Sequence, residues 1–122
     1  MAAFTRFEDI LAWQKARSVT KLIYDESRKG EFSRDFDLCR QIRRAAISIM
    51  ANIAEGFGRH SDKDFANFLN IAHGSLREVE TQLAIAVRLK YTPVESIRSA
   101  DALCQETGRL INGLLNSLSN RQ

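Results

Sequence analysis

Apolar residues recur every three or four positions through nearly the whole chain, and three short breaks interrupt the rhythm: Arg28-Lys29-Gly30, Gly56 to His60, and Tyr91-Thr92-Pro93. A period near 3.6 marks helices that bury one face. No stretch alternates with the period of two that a half-buried strand needs. The first helix is expected over 7–28, with Glu8 and Asp9 in its first turn, where the helix dipole favours acids, and Leu11, Ala12, Ala16, Val19, Leu22 and Ile23 on its core stripe. The second is expected over 35–57, with Leu38, Ile42, Ala45, Ile49 and Ile53 facing inward and with Gly56 and Gly58 free to form a left-handed cap and turn. The third is expected over 61–90, capped by Ser61 with an acid three residues on. The fourth is expected over 93–118, with Thr92 as cap, Pro93 at the first helical position and Glu95 closing a capping box. Connections this short join antiparallel neighbours. The fold class is therefore all-α, an antiparallel up-down-up-down four-helix bundle, as one domain over 1–122.

The 122 residues are 44% apolar and 27% charged, enough to bury a core without disulfides or metals. Cys39 and Cys104 lie in the apolar stripes and read as buried thiols in a reducing compartment. Lys and Arg number 18 against 15 Asp and Glu, and the whole net charge of +3 falls within the first sixty residues. A surplus of that size permits a nucleic-acid partner and does not require one. Met1 to Phe7 holds no apolar run of a signal peptide, and no stretch reaches the ~20 apolar residues of a bilayer span. A cytoplasmic protein with no membrane partner is expected.

The apolar surface exceeds what one bundle core consumes. On a helical wheel the second helix carries apolar residues around roughly 180°, out to Met50 and Ala54, where a core stripe needs about 100°. The first helix has a second patch of Ile10, Trp13 and Tyr24 beside Arg17, and the third has Ile71, Ile85 and Leu89 around Glu78. Such patches point to self-association. Cover by loops and termini within one copy is the alternative.

Catalytic chemistry finds no footing. His60 and His73 lack the Glu three residues earlier that a di-iron bundle uses. There is no Gly-x-Ser-x-Gly elbow and no phosphate loop. No catalytic, metal or cofactor residue is assigned. The polar face of the second helix is more informative: Arg40, Gln41, Arg44, Ser48, Asn52, Glu55 and Arg59 fall within roughly 120°. Arg40, Arg44, Asn52 and Arg59 supply donors suited to a phosphate backbone. An ordinary solvated face is the alternative. Arg43 sits at the edge of the apolar arc and calls for a carboxylate, with Glu78 or Glu80 as candidates, so it reads as structural, with ligand binding as the alternative. Gly74-Ser75 interrupts a long helix, either for a close helix approach or as an exposed glycine.

Three segments together carry a resemblance. They are Phe7-Glu8-Asp9-Ile10-Leu11-Ala12-Trp13-Gln14-Lys15-Ala16, the run from Gln41 to Gly56 that ends Asn52-Ile53-Ala54-Glu55-Gly56, and Phe68-Leu69-Asn70-Ile71-Ala72-His73-Gly74-Ser75-Leu76-Arg77-Glu78. The chain resembles the four-helix-bundle family named for proteins encoded in intervening sequences of bacterial 23S rRNA genes, over nearly its whole length. The resemblance implies a homopentamer. It also implies kinship with the accessory variability proteins of diversity-generating retroelements, which are pentameric barrels that bind nucleic acid and a reverse transcriptase. Met50 stands where many relatives have proline, and His73 where they usually have arginine. The expected function is a non-enzymatic, homo-oligomeric accessory protein binding RNA or DNA, with a reverse transcriptase or another protein as a further partner. Ile10, Trp13, Tyr24, Met50, Ile71, Ile85 and Leu89 are the expected subunit contacts. A protein-interaction scaffold without a nucleic-acid role is the alternative.

Overall fold

The computed structural model describes residues 4–121 and contains four long helices: α1 Leu11–Ser27, α2 Phe36–Phe57, α3 Asp62–Arg88 and α4 Val94–Asn120. Met1 to Ala3, on which part of the signal-peptide reading rests, lie outside that range. No residue among those described is in a strand, and no described helix is long and apolar enough to cross a membrane.

Local chemistry sets the helix ends. Phe7–Asp9 form a separate 3₁₀ turn, and Ile10 is extended (φ −75°, ψ 122°), so α1 begins four residues later than expected and Glu8 and Asp9 precede it. The break rotates the register. Ile10, assigned above to an outer patch, is 1% exposed in the core, while Leu11, assigned to the core, is 49% exposed. A wheel drawn through a non-helical residue misplaces what lies at or before it, here Ile10; Leu11 lies within α1, about 100° round from buried Ala12 and so off the inward stripe. Asp35 caps α2 by accepting the Leu38 amide at 3.1 Å, and Ser61 caps α3 by accepting the Asp64 amide at 3.1 Å. The end of α3 is a Schellman turn: Lys90 has φ +62°, its N–H donates to Val87 O, and the Tyr91 N–H donates to Ala86 O, both at 2.9 Å. Thr92 does not cap α4. Pro93 holds the cap position with no side-chain bond there, so the capping box with Glu95 does not form. Thr92 instead donates its hydroxyl to Glu26 Oε1 at 2.7 Å.

Each helix packs on its two neighbours in sequence, and α4 closes the ring against α1. Contacts between opposite ends fix the antiparallel sense. Gly56 of α2 lies against Phe65 and Phe68 at the start of α3, Arg121 reaches Asp62 at 3.2 Å, and Glu26 at the end of α1 meets Thr92 just before α4. Val19, Ile23, Ile42, Ile49, Ile53, Leu69, Val79, Leu83 and Ile111 fill the interior. One end is closed by Phe32, from the 3₁₀ turn Gly30–Arg34, which stacks on Tyr91 at 5.6 Å. The Tyr91 hydroxyl donates to Asp35 at 3.0 Å, and that bond raises its pKa. Both cysteines are buried and free. Burial pushes the Cys39 thiol up and the Cys104 thiol to about 12.

The glycines exchange the parts expected of them. Gly56 is helical, and a Cβ there would lie 2.7 Å from Phe68 Cβ and 2.9 Å from Phe65 Cδ1. Gly58 has φ −77°, so neither glycine is left-handed. At Gly74, where a close approach was one of the two readings, a Cβ would meet nothing within 4 Å. The tight crossing of α2 and α3 is at Gly56.

Candidate nucleic-acid interface

The four arginine and asparagine positions expected on the outer face of α2 do not form one site. Arg40 is exposed and pairs with Asp37 at 2.6 Å. Arg44 is exposed, with no hydrogen bond or ion pair to another described residue. Asn52 is engaged within α2: its amide donates to Ser48 O at 2.8 Å and Ser48 Oγ at 2.9 Å, four residues earlier. Ser48 in turn bonds to buried Ser75 at 2.8 Å, and that bond joins α2 to α3. Arg59 pairs with Glu55 at 3.0 Å and lies 4.8 Å above the Phe68 ring. Fifteen residues separate it from Arg44, or ~22 Å along the axis.

Arg43 changes the picture. It does not meet Glu78 or Glu80. Its Nε donates to buried Ser27 Oγ at 2.8 Å, and its guanidinium lies 4.9 Å from the Tyr24 ring centre. Arg28 stands 5.5 Å from the same ring. The carboxylate expected for Arg43 is thus replaced by a hydroxyl and an aromatic face, and its charge is uncompensated by any ion pair among the described residues. Phe36, Arg40, Arg43 and Arg44 stand at i, i+4, i+7 and i+8, on one helical face. With Tyr24, Ser33, Cys39 and Ile47 they line a shallow groove of about 680 Å³ in which no lining residue is a carboxylate. Phe36 is 71% exposed. The acids of this end, Glu31, Asp35 and Asp37, lie on its other side.

Sequence reasoning missed Phe36 because it falls outside the inward stripe. The i, i+4, i+7, i+8 spacing of an aromatic and three arginines was the signal available. Tyr24 was noticed but assigned only to self-association.

Besides exposed Leu11 and Val94, two further apolar surfaces are present. Trp13, Tyr24 and Met50, with Phe7, Ile47 and Ala54, line a groove between α1 and α2. Ile71, Ile85 and Leu89 are each about half exposed on α3. Among the described residues no three His, Cys, Asp or Glu side chains gather to hold a metal.

Residues 8–113 match the family model described as 23S rRNA-intervening sequence protein, most of the chain. The chain belongs to that family. The fold agrees with a crystal structure of a protein of unknown function from the S23 ribosomal protein family of Bacteroides thetaiotaomicron VPI-5482. The two are 28% identical, with a TM-score of 0.78 over 86% of this chain and 98% of that one. No curated protein matches. Within this intervening-sequence protein, the family model covers α2 and α3 entirely, and so takes in both the arginine groove and the half-exposed α3 stripe.

Proposed function

We propose that this chain is a non-enzymatic, homo-oligomeric accessory protein that binds RNA or DNA through the arginine face of α2. The observation that carries the reading is the groove of Arg40, Arg43 and Arg44, lined by no carboxylate, in a chain of net charge only +3. Charge gathered on one face attracts a polyanion more strongly than the same charge dispersed. The two apolar surfaces supply the means of assembly. They lie on different faces, the α1–α2 groove and the α3 stripe, so a contact between them would be head-to-tail, the kind that forms a ring where the rotation between copies closes. Five copies of a chain at +3 carry about +15, which strengthens the field around every groove. The expected subunit contacts are Trp13, Tyr24 and Met50 on one copy and Ile71, Ile85 and Leu89 on the next.

Fluorescence anisotropy with duplex DNA, structured RNA and a DNA–RNA hybrid, at low and physiological salt, tests the reading, with sedimentation for the assembled mass. Salt-sensitive binding by a particle of several chains is expected. A monomer with no affinity for any of the three at low salt would exclude it. The second reading, a scaffold for another protein such as a reverse transcriptase, rests on the apolar groove between α1 and α2. It predicts a discrete protein partner and no general affinity for polyanions.

A further inference from the structure

We infer that the α2 groove takes an unpaired stretch of a single strand, with a base stacked on Phe36 and a phosphate of the same or the adjacent nucleotide against Arg43 and Arg44. This rests on the proposed nucleic-acid role and names the kind of nucleic acid. Three observations support it. Phe36 is 71% exposed at the first position of α2, the most exposed large apolar side chain among the described residues. It stands about two turns, ~10 Å, from Arg43 on the same face. Arg43 is held in a fixed position by Ser27 and the Tyr24 ring, and its Nη hydrogens have no acceptor among the described residues. Arg40, between them, is already engaged by Asp37, which leaves Arg43 and Arg44 for the phosphate.

A duplex offers this face phosphates alone, since its bases are stacked inside and their faces are closed to a surface ring. An exposed aromatic next to guanidiniums gains nothing from that contact. Single strands are bound by just this pairing, a ring for the base and a basic track for the backbone. The absence of carboxylates from the groove and their segregation beyond Phe36 orient the strand toward α2's middle rather than toward Asp35 and Asp37.

The test is anisotropy at low and physiological salt with oligothymidylate, an abasic oligomer of equal length and a duplex of equal length, each against the whole protein. Oligothymidylate should bind at least about fivefold more tightly than the abasic strand. Phe36→Ala should erase that preference while leaving duplex binding and the assembled mass unchanged, and Phe36→Trp should retain it. Arg43→Gln with Arg44→Gln should weaken all three ligands. Equal binding of abasic and base-bearing strands, or a preference that survives Phe36→Ala, would overturn the inference and leave the general nucleic-acid reading standing. Loss of assembly in Phe36→Ala would overturn it too, by assigning the ring to a subunit contact. Failure of all three ligands to bind would remove the parent reading itself.

Discussion

On one side α2 meets α3 so closely that Gly56 has no room for a Cβ, and the polar atoms at the crossing are satisfied among Ser48, Asn52 and Ser75. On its other side, toward the end of α1, the same helix leaves Phe36 in solvent and gathers three arginines of which, among the described residues, only Arg40 has a carboxylate partner. On the first side a single buried polar atom among the described residues, Gln82 Oε1 beside Gln41, lacks a partner. The second keeps donors and an aromatic ring unspent. That surplus is the observation behind the proposed partner surface.

The contrast can be broken at either side, and the largest effects belong to the closed one. Ile49→Ala, in the fully buried core, should cost about 2–5 kcal/mol in chemical denaturation. Gly56→Ala should cost about 1–3 kcal/mol through the clash with Phe65 and Phe68, although alanine is the better helix former. A melt no lower than wild type would mean that α3 yields at that point. Glu26, bonded to Lys29 and Thr92 at the end of α1, gives a pH signature. Burial raises its pKa, but hydrogen bonds from Lys29 and Thr92 outweigh that and hold it below the ordinary 4.5. A depressed carboxylate stabilises the fold above its unfolded value, and the contribution is lost as pH falls through the folded one. Stability measured from pH 6 downward should decline less steeply in Glu26→Gln than in wild type. Gly74→Ala adds a methyl to open space and should stabilise the protomer by about 0.5–1 kcal/mol. The smallest effect on stability should come from the open side: Arg44→Ala should change it by less than about 0.5 kcal/mol, yet flatten the salt dependence of duplex binding by ~0.9 for each phosphate it no longer neutralises. Arg59→Ala, already engaged by Glu55 and Phe68, should leave that slope nearly unchanged. A reversed order between Arg44 and Arg59 would move the binding face to the far end of α2.

The helices were readable because each begins or ends on a residue with one dominant local role. Asp35 and Ser61 cap as their chemistry suggests. Two starts went astray for tertiary reasons. Ile10 leaves the helical conformation to enter the core, and Thr92 gives its hydroxyl to Glu26, sixty-six residues earlier, rather than to its own helix. Neither competitor is visible in a local window. The site was half legible. The arginines could be placed on a face from their spacing. That Arg43 would be satisfied by Ser27 and Tyr24 depends on which helix lies alongside, whereas the Asn52 bond to Ser48, four residues back in the same helix, was open to a local reading. The role of Gly56 was likewise hidden, because a glycine near a helix end reads as a cap until the neighbouring phenylalanines are in view.

The bond from Arg43 to Ser27 has a thermodynamic consequence. An arginine side chain free in water carries ~2 kcal/mol of rotamer entropy, which a ligand must freeze on binding. Arg43 gave up that freedom when the domain folded, with Ser27 and the Tyr24 ring to hold it. An anion drawn to the groove therefore meets one guanidinium whose ordering cost is already settled and another, Arg44, whose cost is not. On the proposed nucleic-acid reading the two neighbouring arginines would divide the work: Arg43 would set where a phosphate comes to rest, and Arg44 would carry the larger entropic cost, so that its share of the affinity falls more steeply with temperature.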